Sequence, residues 1–234
     1  TFLLTGAWRI RINLPGLIIL HKIGQLLLPT KIRFRIKMLF LPERLLLCHM
    51  IKPGKLILIR HAPVKRKVGF LPEHNPGAII NDDEFKNLAK NIPQDSVWYV
   101  SPLRRTMQTA DGLSKYVRNQ KTIIDSNLVE QNFGNWSGMR MSEVWKELRD
   151  NEGQHNFSFL CPEISPPHGD SFLDQCKRIS RWIENLSFSN SEVVVAITHS
   201  GVIRAALSHM LGIEPDKAVG IEILPLSLSL FEVL

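Results

Sequence analysis

Three short runs rich in β-branched and aromatic residues constrain this chain more than anything else in it, because each leads directly into polar or cationic residues. Lys55-Leu56-Ile57-Leu58-Ile59 follows a Pro-Gly turn and runs into Arg60-His61. Val97-Trp98-Tyr99-Val100 runs into Ser101-Pro102, and Glu192 to Thr198 runs into His199-Ser200. Apolar runs of this length without alternation read as strands buried on both faces, the pattern of a parallel sheet covered by helices. Helical patterns lie between them. Phe85, Leu88, Ala89 and Ile92 fall at i, i+3, i+4 and i+7, and Met141, Val144, Trp145 and Leu148 repeat that spacing. Asp170 stands where it can cap a longer helix with the stripe Phe172, Cys176, Ile179, Ile183 and Leu186. Gly201 to Leu211 reads as a helix closed by Gly212, and Val219–Leu224 and Leu228–Val233 read as two further strands. The alternation predicts an α/β fold, a three-layer sandwich with a mainly parallel central sheet.

In such sheets ligands gather at the carboxyl ends of the strands. Arg60-His61, Ser101-Pro102-Leu103-Arg104-Arg105 and His199-Ser200-Gly201 would then converge on one mouth, the last two at helix N-termini. Free N–H groups at helix starts favour an anion, and guanidiniums offer fixed paired donors to phosphate oxygens. A single strand-end histidine is more often a structural hydrogen-bonder. Two of them beside strand-end arginines point to a site for a tetrahedral dianion. His21, His49, His74, His155, His168 and His209 lack that context and read as ordinary surface or structural residues. The stretch from Ala62 to Asp82 is long, basic at Lys65-Arg66-Lys67 and broken by three prolines, which makes it a candidate lid.

Four segments carry a resemblance to a known family. Leu58-Ile59-Arg60-His61-Ala62, Ser101 to Ala110, Val129 to Gly138 and Thr198 to Val202 are similar, in this order, to motifs of the histidine phosphatase superfamily, also called phosphoglycerate mutase-like. The resemblance covers about residues 55–231. It implies a phosphoglycerate mutase-like α/β sandwich, a phosphohistidine formed at His61, phosphate held by Arg60, Arg105 and His199, and Glu130 as proton donor. It implies neither metal nor cofactor. For Glu130 to hold a proton it should be partly buried, and nearby Phe133 and Trp136 are the residues expected to wall it in. Within the superfamily the chain is most similar to bacterial α-ribazole phosphatases, which implies α-ribazole 5′-phosphate, an intermediate of cobalamin biosynthesis, as substrate. A general small-molecule phosphatase and a phosphoglycerate mutase remain as alternatives, and from another class a basic binding module on an inactive phosphatase fold. Ala62, Ser137 and Ser200 depart from the family pattern, which usually has Gly, an acid and a second Gly at those places.

Charge separates the chain into two parts. Residues 1–49 hold eight Lys and Arg against the single acid Glu43, which accounts for the whole net charge of +7 and leaves residues 50–234 balanced. The expected phosphatase domain, residues 50–234, thus offers no basic surface for nucleic acid. The basic segment, residues 1–49, has a longest uncharged run of ten residues, Ile12 to His21, interrupted by Pro15 and Gly16. A membrane-spanning helix needs roughly 20 apolar residues, so no stable membrane insertion is expected. Two readings stay open for the segment: a surface or targeting element, or translated upstream sequence outside the native protein, with Met50 as the start. Cys48, Cys161 and Cys176 form no paired framework or metal-ligand spacing, which fits a reducing, cytoplasmic setting.

Overall fold

The computed structural model describes residues 8–14, 17–18, 54–150, 161–188 and 192–233. Its sheet is built around β3 (Gly54–Arg60), which is parallel to β6 (Val193–Thr198) on one side and antiparallel to β7 (Leu228–Val233) on the other. Beyond β6 lie β4 (Ser96–Val100) and then β5 (Asn119–Ile124), both parallel. Beyond β7 lies β1 (Trp8–Leu14), antiparallel to it, followed by the two-residue β2 (Leu17–Ile18). The order is β2-β1-β7-β3-β6-β4-β5.

The continuous apolar runs are explained by what covers each face. Leu56 and Leu58 of β3, with Val194 and Ala196 of β6, pack under α4 (Phe172–Glu184), α5 (Ser200–Leu211) and α6 (Pro215–Ala218). The intervening Ile57, Ile59, Val195 and Ile197 point the other way, against α1 (Asp82–Ala89) and α2 (Arg104–Ser114). Each buried Leu or Ile of this kind stabilises the fold by roughly 1.5–3 kcal/mol, and neither face of β3 or β6 can be made polar without losing several such contacts. A third, smaller cluster joins Val144 and Leu148 of α3 (Met141–Asp150) to Leu71 and Trp136. The α/β sandwich with a mainly parallel sheet is therefore what the chain adopts.

Two local expectations need correction, and one strand was not expected. Val219–Leu224 forms no strand: the carbonyl oxygens of Ile221 and Ile223 accept from the guanidiniums of Arg204 and Arg60, so this backbone is turned to two cations instead of a neighbouring strand. Asp170 does not cap α4. Ser171 does, in a reciprocal box with Asp174, while Asp170 pairs with Arg178 at 3.3 Å. The strand β5 carried no apolar signal, because it is a sheet edge with mostly exposed residues. The end of α5 is as expected, with Gly212 at φ +63°, a left-handed turn that glycine adopts without strain. Residues 19–49, with His21 and His49, and His155 lie outside the described residues.

Candidate active site

Parallel pairing sets the carboxyl ends of β3, β6 and β4 side by side, with Arg60 opposite Thr198 and Val100 opposite Ile197. The next residue of each strand is thereby delivered to one end of the sheet. The His61 N–H donates to Thr198 O at 2.9 Å, and the Ser101 N–H donates to Ile197 O at 3.2 Å. His61 and His199 face each other with ring centroids 5.2 Å apart, and both are buried. Arg105, in the first turn of α2, reaches between them. Its Nε–H lies 3.2 Å from His61 Nε2 and 3.2 Å from His199 Nδ1.

That single N–H fixes both tautomers. His61 Nε2 and His199 Nδ1 accept, so the protons sit on the opposite nitrogens. His61 Nδ1 donates to the carbonyl of Ala62 at 2.7 Å, and His199 Nε2 donates to Ser101 Oγ at 2.8 Å. Burial is the main cause that holds His61 down to about 4; the Ala62 hydrogen bond opposes it, and the Arg105 and Arg60 charges reinforce it. His199 is pushed well below its ordinary value by burial and then by Arg105. At neutral pH both rings are uncharged, and His61 presents an oriented Nε2 lone pair.

The guanidiniums supply the positive field. Arg60 is lowered to about 10, by burial and then by Arg66, and it stays charged at neutral pH. Its buried Nε–H has no partner among the described residues, while another of its nitrogens donates to Ile223 O. Burial likewise lowers Arg105, whose Nη1 donates to the carbonyl of His74 at 3.1 Å. Arg66 and Arg204 lie close enough to act on Arg60 as well. Arg104, by contrast, is exposed, and its backbone N–H donates to Asn75 Oδ1 at 2.7 Å.

Glu130 sits at the N-terminus of α5. Its Oε2 accepts from the Gly201 N–H at 3.2 Å and Ser200 Oγ at 3.4 Å, and its Oε1 accepts from Gln175 Nε2 and the Gln131 N–H, each at 3.1 Å. A carboxylate in that place completes the free donors of a helix start. Phe133 and Trp136 pack with Leu71, Val144 and Leu148, and Trp136 Nε1 donates to Glu147. The five residues singled out in the sequence, Arg60, His61, Arg105, Glu130 and His199, thus meet at one mouth.

Sequence reasoning passed over several supporting groups. Ser101 orients His199, and Thr109 Oγ1 accepts from the Ala62 N–H at 2.9 Å. Gln175 was legible only as a polar residue on the apolar stripe of α4, three after Phe172 and four before Ile179. His74 contributes its backbone, not its ring. The stretch 62–82 is pinned beside the mouth by that carbonyl, by a Val64–Ala78 bridge, and by Phe70, whose ring lies under Lys67 and Arg140. Among the described residues no group of three or more His, Cys, Asp and Glu gathers as a metal site, and no helix is long and apolar enough to cross a membrane.

Comparison with known proteins agrees with the fold. A phosphoserine phosphatase 1 of Hydrogenobacter thermophilus is 28% identical over 177 residues, covering 70% of this chain and 79% of the relative. A putative α-ribazole-5′-phosphate phosphatase of Escherichia coli shares the fold with a TM-score of 0.63 at 21% identity, over 76% of this chain and 89% of that one. A mycobacterial glucosyl-3-phosphoglycerate phosphatase does so with a TM-score of 0.60 at 16% identity, over 76% and 90%. The family model described as Histidine phosphatase superfamily (branch 1) matches residues 82–233, a stretch that holds Arg105, Glu130 and His199 and begins after Arg60-His61. The chain belongs to the histidine phosphatase superfamily, and it is a phosphatase by family.

Proposed function

We propose that the chain hydrolyses a small phosphomonoester in two steps through a phosphohistidine at His61. The observation that carries this reading is the fixed tautomer of a buried, neutral His61, whose Nε2 lone pair is contacted by a cationic donor. An incoming phosphate oxygen takes the Arg105 Nε–H and so frees Nε2 to attack phosphorus. Arg60, Arg105 and His199 hold the phosphate and spread its charge, which otherwise repels the nucleophile. A bound dianion favours the imidazolium form of His199, whose Nδ1 then donates as well. The N–P bond forms as the ester P–O bond breaks, and Glu130 gives its proton to the leaving oxygen. Glu130 then takes a proton from water as the water oxygen attacks phosphorus, and the N–P bond breaks with return of the electron pair to His61. The cations of the site belong to the chain itself, so turnover is expected to survive a strong chelator.

Gly201 is the tightest fit in this arrangement. A Cβ there would land on Glu130 Oε1 and come within 2.6 Å of Gln175 Oε1. Both are ends of flexible side chains, so Gly201→Ala is expected to displace the carboxyl without unfolding the chain. Alanine also favours the helix by up to ~1 kcal/mol. Melting should stay within a few degrees of the parent or rise, while kcat falls at least about tenfold. A variant with unchanged kcat would show that Glu130 does not need its present seat.

The substrate we propose first is α-ribazole 5′-phosphate, in cobalamin biosynthesis and in the cytoplasm, supported by the likeness to α-ribazole phosphatases. The curated relative brings phosphoserine into the same test. Residues 50–234 are proposed as the catalytic domain; the described part of the preceding segment is β1 and β2, with β1 beside β7 and two strands from β3. Measuring kcat/KM for α-ribazole 5′-phosphate, phosphoserine, 3-phosphoglycerate and sugar phosphates tests both points, on the full chain and on residues 50–234. Preference for the ribazole ester by both chains supports the reading. Equal values across the panel leave a general phosphatase, isomerised phosphoglycerate means a mutase, and an inactive shorter chain removes the domain boundary.

A further inference from the structure

Gln175 is wholly buried, 0% exposed, on the face of α4 that meets the site. A polar residue in such a place must be held by hydrogen bonds, and half of this one is not. Its Nε2 donates to Glu130 Oε1 at 3.1 Å and to Val129 O at 3.4 Å, whereas its Oε1 is buried and has no donor among the described residues. That free oxygen lies over the same face of Gly201 as Glu130 Oε1, close enough that no Cβ fits between them and the Gly201 backbone. An amide is two-sided: its NH2 donates and its C=O accepts. A carboxylate only accepts, and a protonated carboxyl has a hydrogen to give.

We infer that Gln175 is a positioning residue for Glu130 that serves both protonation states, its NH2 bonding the carboxylate and its Oε1 accepting from the carboxylic acid. This rests on the reading of Glu130 as the alternating acid and base. With Glu130 ionised, the observed Nε2–Oε1 bond holds the group toward the mouth. With Glu130 protonated, a turn of the amide about its last torsion presents Oε1 to the carboxyl hydrogen until the leaving oxygen takes it. The Oε1 that lacks a donor in one state is the acceptor needed in the other. No atom of Gln175 touches substrate, and no proton is transferred to it.

Gln175→Leu, in the full chain, keeps the volume and removes both functions; Gln175→Met serves should the first variant fail to fold. For an alkyl phosphate kcat is expected to fall on the order of tenfold, the worth of one well-placed hydrogen bond. Inhibition by inorganic phosphate should be unchanged, since Arg60, Arg105 and His199 are untouched. The nitrophenol burst from p-nitrophenyl phosphate, which needs little acid assistance, should stay within about twofold. In a Glu130→Gln background the Gln175→Leu change should cost nothing further. Equal losses with alkyl and aryl esters, weakened phosphate binding, or full additivity with Glu130→Gln would make Gln175 a packing residue and overturn the inference. If Glu130→Gln alone fails to discriminate leaving groups, the fault lies in the assignment of Glu130; if it discriminates and Gln175→Leu does not, only Gln175 is misassigned.

Discussion

His61→Ala is expected to abolish turnover with every phosphomonoester, by on the order of 10⁵-fold or more, the scale seen when a covalent nucleophile is removed. No neighbouring group can take over. The other imidazole, His199, has Nε2 tied to Ser101 Oγ and Nδ1 to Arg105, and Cys176 is a partly buried thiol pushed up to about 11 by burial. The loss should not come from unfolding. His61 is bonded to the Ala62 carbonyl and to Arg105, and its removal relieves the chain of an imidazole that burial keeps from charging. Inorganic phosphate should still bind, since Arg60, Arg105 and His199 remain. Calorimetric titration with phosphate beside steady-state assays separates the two effects. A variant that keeps a hundredth of the parent rate would mean that water attacks phosphorus directly and the covalent step is dispensable.

The second large effect is expected from Glu130→Gln, and it should depend on the leaving group. A general acid matters in proportion to how poorly the leaving group departs unaided. Glutamine keeps the shape of the side chain but cannot give up a proton, and its amide can still meet Gln175 and Gly201. With an alkyl phosphate the rate should fall on the order of 10²–10⁴-fold, the usual worth of a positioned acid or base. With p-nitrophenyl phosphate the phenolate leaves readily, so phosphorylation of His61, read as the nitrophenol burst, should lose far less. The slower steady state would then report the second step, where Glu130 acts as base. A burst that falls as far as the alkyl rate would make Glu130 a binding or structural residue.

How much of this was legible in the sequence follows from where each residue sits. β3, β4 and β6 are buried on both faces, so their apolar runs are long enough to stand out, and their last residues mark the sheet end where a ligand must bind. Arg60, His61 and His199 are readable for that reason. β5 is an edge strand facing water, so nothing selects apolar residues there and Asn119-Gln120-Lys121-Thr122 reads as loop. Val219–Leu224 misled because its apolar side chains satisfy the strand pattern while its carbonyls answer to two arginines, Arg204 17 positions and Arg60 163 positions away. The partners of Glu130 were hidden for the same reason. Gln175 lies 45 positions away and Gly201 71, and only folding brings an amide and a bare Cα to one carboxyl. Phe133 and Trp136 are near Glu130 along the chain, and they also pack with Val144 and Leu148 of α3. The strand ends are where Arg60, His61 and His199 come together.

The central claim is that His61 carries the phosphoryl group, and trapping the intermediate tests it most directly. The full chain is mixed with a radiolabelled phosphomonoester in the presence of a strong chelator, quenched in alkali within a turnover, and mapped by peptide mass spectrometry. The account predicts a label on His61 that is stable to alkali and lost in acid, that forms and decays at rates consistent with turnover, and that is missing from His61→Ala. Turnover without any trapped label, a label on another residue, or a label that persists in His61→Ala would contradict it.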